Sequence, residues 1–166
     1  MALAFSEPRI VSRGPYRVVG AWCAYDGDDE GPGWDGAYQA LLPRLCTISG
    51  RCDDLMLGFL YRPSKDDPVA PVGMRACFVG VEVAASAAMP ETLAETRFSG
   101  GDYVLVDCIG DTPEEAAEGV GQAIDMLTEW MPANGYREGD ACFAASQVGA
   151  PKPPWIETVY IKLERA

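Results

Sequence analysis

The apolar positions of the chain repeat with two different periods. Trp34, Tyr38, Leu41, Leu42 and Leu45 stand at i, i+4, i+7, i+8 and i+11, the spacing of one helix face, and Gly50 is placed to end that helix. Val120, Ile124, Leu127 and Met131 repeat the pattern further on. Thr112 is an N-cap for this second helix, with Pro113 at its first position and Glu114 and Glu115 in its first turn; Pro132 and Gly135 stop it. Elsewhere the period is two: Val79, Val81 and Val83 alternate with Phe78, Gly80 and Glu82, as in a strand. The segment Pro8–Trp22 reads as a strand after the turn Arg13-Gly14-Pro15, further strands are predicted over Leu55–Tyr61, Tyr103–Ile109, Ala141–Gln147 and Trp155–Leu163, and the short segment Leu93–Phe98 opens the second half. Polar connections fall at Asp26–Gly33, at Arg62–Val72 and at the turn Gly149–Pro154.

Both halves of the chain thus read strand, helix, strand, strand, over about residues 8–84 and 92–164. Arg13-Gly14-Pro15-Tyr16-Arg17-Val18-Val19 also resembles Gly100-Gly101-Asp102-Tyr103-Val104-Leu105-Val106 in its glycine, tyrosine and valine positions. An internal duplication is the economical explanation; chance recurrence of a common unit is the alternative. The expected fold class is α+β, with the duplicated units forming one antiparallel sheet that carries two helices and leaves a central cleft. One domain over residues 1–166 is expected, because this length suits a single core.

Composition narrows the chemistry. The net charge of −12, with no local Lys/Arg cluster, disfavours direct contact with nucleic acid. No apolar stretch is long enough for a membrane helix, and Met1–Ile10 lacks the features of a secretory signal, so a cytoplasmic protein is expected. Six cysteines, Cys23, Cys46, Cys52, Cys77, Cys108 and Cys142, are scattered singly and read as free thiols. The chain has no histidine, which removes His-dependent nucleophiles and His-ligated metals. The acidic loop Asp26–Glu30 lacks the ligand spacing of a calcium loop, and Gly100-Gly101 are turn glycines without a phosphate-binding motif. Neither a metal nor a cofactor is expected, and the oligomeric state is open.

Several segments, in order, resemble the gyrase-inhibitor-like (GyrI-like) proteins. These are Pro8-Arg9-Ile10-Val11 with Val18-Val19-Gly20, then Val79-Gly80-Val81-Glu82-Val83, Gly100-Gly101-Asp102-Tyr103-Val104 and Trp130-Met131-Pro132-Ala133-Asn134-Gly135-Tyr136. Cys142-Phe143 and the strand Trp155–Ile161 complete the set. The resemblance implies a duplicated α+β fold, shared with effector-binding domains of bacterial transcription activators. It also implies a pocket for hydrophobic, often cationic ligands, walled by aromatics and holding one buried carboxylate. The chain departs from that pattern where members commonly have Phe-Glu-x-Tyr: here the strand reads Phe143-Ala144-Ala145-Ser146, without the acid or the tyrosine.

The expected ligand-binding residues are Trp34, Tyr38, Phe78, Glu82 and Tyr160. Trp34 and Tyr38 lie one helical turn apart and read equally as core. Glu82 lies within an apolar strand and either enters a pocket or faces solvent opposite the valines. The leading function is small-molecule binding without catalysis, the partner being a hydrophobic, drug-like and potentially cationic ligand. Two alternatives stand beside it: hydrolysis of strained electrophilic compounds, which some relatives of the fold perform, and an acidic interaction module acting on a nucleic-acid enzyme.

Overall fold

A computed structural model describes residues 2–61, 75–147 and 152–166. The Arg62–Val72 loop expectation and the first part of the Gly149–Pro154 turn lie outside the described residues. The fold is α+β, with antiparallel strands and two α-helices, and the chain divides into two compact units: Met1–Pro15 with Phe98–Ala166, and Tyr16–Arg97.

The unit Tyr16–Arg97 contains β3 (Tyr16–Tyr25), α1 (Gly31–Leu41), β4 (Leu55–Tyr61), β5 (Arg75–Val83) and most of β6 (Ala94–Phe98). β5 lies between β3 and β4, with Val19 opposite Val81, Ala21 opposite Val79 and Gly58 opposite Val79. Helix α1 lies close on this sheet because Gly33 and Gly36 lack side chains. A Cβ at Gly33 would stand 2.8 Å from the Tyr25 ring and 2.9 Å from the Cys77 sulfur, and one at Gly36 would run into Cys23. The helix is shorter than its apolar spacing predicts. Pro43 has no N–H to donate and its ring crowds the preceding turn, so Leu42–Thr47 continue as a 3-10 turn. Leu41 is fully buried while Leu42 is 51% exposed, which splits the expected five-residue face.

The other unit contains β1 (Ala4–Phe5), β2 (Arg9–Arg13), β7 (Gly101–Gly110), α2 (Pro113–Ala133), β8 (Tyr136–Gln147) and β9 (Trp155–Arg165). β9 lies between β7 and β8, and β1 and β2 both pair with the free side of β7. Thr112 caps α2 as expected: its hydroxyl accepts from the Glu115 N–H at 3.1 Å, and the Glu115 carboxylate accepts from the Asp111 N–H at 2.8 Å. Pro132 lies inside the last turn, and Gly135 leaves it at φ +81°, in the left-handed region that glycine adopts readily. The apolar stripe of α2 (Ala123, Leu127 and Met131) packs on Val104, Val106 and Cys108 of β7 and on Val159, Ile161 and Leu163 of β9.

The strand expected after the turn Arg13-Gly14-Pro15 is β3, and a further strand, β2, precedes that turn; β2 pairs with β7 while β3 pairs with β5. The Gly100 backbone runs against that turn so closely that a Cβ would stand 3.0 Å from the Pro15 nitrogen and 3.1 Å from the Arg13 carbonyl oxygen. In the opposite sense, β6 neighbours β3. The recurring order is therefore β3–α1–β4–β5 and β7–α2–β8–β9, shifted from the boundaries read in the sequence.

Arg17, only 8% exposed, ties the edge of its unit together: it pairs with Glu95 of β6 at 2.9 Å and donates to the Ala87 carbonyl at 2.5 Å. Glu95 is held below the usual carboxylate range by hydrogen bonding to Arg97 first and to Arg17 after it. Replacing Arg17 with alanine leaves the Ala87 carbonyl without its donor and Glu95 with the exposed Arg97 alone. We expect chemical denaturation to show a loss of about 2–4 kcal/mol, against under 1 kcal/mol for the exposed Arg97→Ala.

Candidate functional site

The structure distributes the five expected residues over more than one surface. Trp34 is half-buried on α1; its ring lies over Gly58, where a Cβ would stand 3.2 Å away, and its indole N–H donates to Glu30 at 3.3 Å. Tyr38 is half-buried one turn further along the helix. Phe78, by contrast, is fully buried on the sheet face turned away from α1. It stacks on Phe59, with ring centroids 4.8 Å apart at 16°, and meets Tyr61 at 5.4 Å. Glu82 shares this parity, opposite Val18 and away from Val79, Val81 and Val83, and is half-exposed. Trp34 and Phe78 thus lie on opposite faces of one sheet and cannot wall the same ligand from there.

Tyr160 belongs to the other unit, where it is half-buried on the face of β9 turned away from α2. Its ring stacks on Phe143 at 4.9 Å and 15°, and the Arg13 guanidinium lies 5.8 Å from its centroid. Phe143 also meets Phe98 and Tyr103. Phe78 and Tyr160 hold matching places: each is the later member of a stacked cross-strand pair, Phe59 opposite Phe78 and Phe143 opposite Tyr160. The two aromatic positions chosen from the sequence are the same position in the two halves. Each ring is engaged within its own unit.

Glu157 is a residue the sequence reading passed over. Along β9 the positions Trp155, Glu157, Val159, Ile161 and Leu163 share one face, and the last three form the core beneath α2. Glu157 is therefore a half-buried carboxylate on the core-facing side of β9. Its cross-strand neighbours are Cys108 of β7 and Ser146 of β8, and Ala144 lies diagonally across from it, opposite Val159. Burial pushes its carboxyl up to about 7. The period-two pattern that marked Val79, Val81 and Val83 carried the same signal here, once Trp155–Leu163 was read for face.

A second half-buried carboxylate in this unit, Asp107, shows the contrast. It lies on the opposite face of β7, takes an ion pair from Arg9 at 2.9 Å and a hydrogen bond from the Thr158 hydroxyl at 2.7 Å. Glu157 has no such ion pair or hydrogen bond among the described residues. Around it the sheet is unevenly covered: Val106, Cys108 and Val159 are fully buried, but Cys142, Ala144 and Ser146 of β8 are only half-buried. Val120 and Ile124 of α2 and Cys142 of β8 border the fully buried cluster. The surface this leaves beside α2 is apolar and bears small side chains on β8. No group of three or more His, Cys, Asp or Glu capable of holding a metal ion occurs among the described residues.

Each unit sets one helix on one face of an antiparallel sheet, in the same strand, helix, strand, strand order. The chain belongs to the GyrI-like family: the family model for the GyrI-like small molecule binding domain matches residues 6–163. Among solved structures, the chain is similar to SAV2435 bound to tetraphenylphosphonium, with a TM-score of 0.65, 14% identity and coverage of 96% of this chain and 94% of that one. It is also similar to EcmrR in a complex with DNA, with a TM-score of 0.64, 10% identity and coverage of 98% of this chain and 58% of that one. A hydrolase from Listeria innocua matches with a TM-score of 0.55 and 13% identity, covering 95% of this chain and 92% of that one. At these identities the likeness is one of fold. No curated protein sequence matches the chain.

The raised Glu157 carboxyl makes stability depend on pH with a definite sign. Between its ordinary value of 4.5 and about 7 the folded chain keeps a proton that the unfolded chain releases, so this group's contribution falls as pH rises through that window. The titratable groups sharing its face, Cys108 and Cys142, have thiols pushed up by burial to about 12 and about 11 and stay neutral there. Glu157→Gln should therefore be more stable than the parent at pH 8, by about 1–3 kcal/mol, and nearly equal to it at pH 4. Denaturation curves at the two pH values check this; a difference that does not change with pH would contradict it.

Proposed function

We propose that this protein binds a lipophilic, drug-like small molecule, with organic cations as the favoured class, and does so without chemical turnover. The observation that carries the reading is the uneven cover of the unit formed by Met1–Pro15 and Phe98–Ala166. Its core is closed over β7 and β9, yet the α2-facing side of β8 is left half-open and apolar. Burying an apolar ligand on such a surface is favourable by about 25 cal/mol per Å² removed from water. Membership of a small-molecule-binding family supports the reading, as does a neighbour of the same fold that holds a lipophilic cation.

Hydrolysis is a second reading with one observation in its favour. A carboxyl pushed up to about 7 is suited to taking a proton from water near neutral pH. Turnover of an epoxide or activated ester that disappears in Glu157→Gln would establish it, and inertness across a panel of such electrophiles would retire it.

Thermal denaturation with matched lipophilic cations, neutral analogues and anions tests the binding reading. A ligand at 100 times its Kd adds about 2.7 kcal/mol of stability, enough to raise Tm by several degrees. We expect such shifts with cations first and neutral compounds second. No shift from any member of the panel would contradict small-molecule binding.

A further inference from the structure

Two of the six cysteines stand directly opposite each other on neighbouring strands. We propose that Cys23 of β3 and Cys77 of β5 form a reversible oxidation site, a dithiol that a hydroperoxide converts to a cross-strand disulfide beneath α1. The site lies in the unit Tyr16–Arg97 and goes beyond the small-molecule reading, on which it does not depend.

Three observations support it. First, the register pairs Cys23 with Cys77. Residues opposite each other in an antiparallel ladder have Cα atoms about 4.5–5.5 Å apart, and disulfides bridge separations of about 4.4–6.8 Å, so the two strands already stand at the spacing the bond requires. Second, both sulfurs lie under α1 at positions where the helix contributes no side chain. A Cβ at Gly33 would stand 2.9 Å from the Cys77 sulfur, and one at Gly36 would overlap the Cys23 sulfur. Third, the two thiols differ in access: Cys23 is half-buried, whereas Cys77 is fully buried. Each now donates to a backbone carbonyl, Cys23 to Ala24 at 3.5 Å and Cys77 to Glu30 at 3.8 Å. Packing alone does not account for the pair, as the other unit shows. There Cys108 lies beneath Gly119 of α2 in the same way, but its cross-strand neighbour is Glu157, and Cys142 faces Ile161. Close approach of a helix needs one small residue beneath a glycine, not a second cysteine across the ladder.

The difference in access divides the roles. The Cys23 thiolate attacks the hydroperoxide: an S–O bond forms as the O–O bond breaks, Cys23 is oxidised by two electrons to the sulfenic acid, and the departing hydroxide or alkoxide takes up a proton. Cys77 then attacks the Cys23 sulfur; the S–S bond forms, the S–O bond breaks, and the hydroxide leaves as water with the Cys77 proton. In sum, two thiols and one hydroperoxide give one disulfide, one water and one further water or alcohol. Burial raises the Cys77 thiol to about 12, aided by Glu30 and Cys23, so its thiolate is scarce and the second step is the slower one. An external thiol reverses the bond by attacking at Cys23, the accessible sulfur.

The test treats the full chain with equimolar hydrogen peroxide, alkylates the remaining thiols after denaturation and maps the peptides by mass spectrometry. Cys46→Ser and Cys52→Ser are included throughout, because both thiols are exposed and would compete for the oxidant. We expect a linked pair of peptides carrying Cys23 and Cys77, released by dithiothreitol, with Cys108 and Cys142 recovered as alkylated thiols. In Cys77→Ala, first shown to melt cooperatively, Cys23 should accumulate as sulfenic acid and be captured by dimedone several-fold more than when Cys77 is present. Recovery of Cys23 and Cys77 as free thiols would overturn the proposal. So would oxidation of Cys23 to the sulfinic acid beside an unreacted Cys77, linkage of either residue to Cys108 or Cys142, or equal dimedone capture with and without Cys77. None of these outcomes involves a ligand, so failure here leaves the small-molecule reading untouched.

Discussion

A β-sheet has two faces, and in each unit one α-helix covers only one of them. The other face of each unit carries a stacked cross-strand aromatic pair, Phe59 on Phe78 and Phe143 on Tyr160. That division of labour decides what each strand residue can do. Side chains on the aromatic face are engaged with one another, and Tyr160 is further approached by the Arg13 guanidinium. Side chains on the helix face are buried wherever the helix reaches. On β8 the same face is only half-buried at Cys142, Ala144 and Ser146, and Glu157 beside it has no ion pair or hydrogen bond among the described residues.

The glycines control how far each helix reaches. Gly33 and Gly36 let α1 settle against Cys23, Tyr25 and Cys77, and burial there raises the Cys77 thiol to about 12, aided by Glu30 and Cys23. Gly119 does the same for α2, since a Cβ there would stand 3.1 Å from that of Cys108. Close approach at Gly119 seals β7 and draws the helix over β7 and β9. On β8 the small residues Ala144 and Ser146 of the same face are only half-buried.

Much of this was legible from the residues. Thr112, Pro113 and Glu115 mark the start of α2 by capping chemistry alone, and the period-two valines mark β5. The 3-10 end of α1 was written in Pro43, whose missing N–H outweighs the continuing apolar spacing of Leu42 and Leu45. The exchange of β2 and β6 was not legible, because the pairing of Arg9–Arg13 with β7 depends on contacts distant in sequence. For the site, strand parity was informative but local. It placed Glu82 opposite the valines, yet only the register shows that Phe78 shares that face while Trp34 lies across the sheet. Glu157 could have been found by asking which charged residue breaks an apolar parity; the strand reading stopped at the aromatic Tyr160.

The account turns on the ionisation of one carboxyl, and that can be observed directly. Glutamate labelled with carbon-13 at its side-chain carboxyl would let NMR follow Glu157 through pH, with Glu157→Gln assigning the signal. The account predicts a midpoint near 7 in the free protein, moving to lower pH when tetraphenylphosphonium is bound, because a neighbouring cation favours the carboxylate. A midpoint in the ordinary glutamate range that does not respond to the cation would mean that Glu157 is solvated and takes no part in binding.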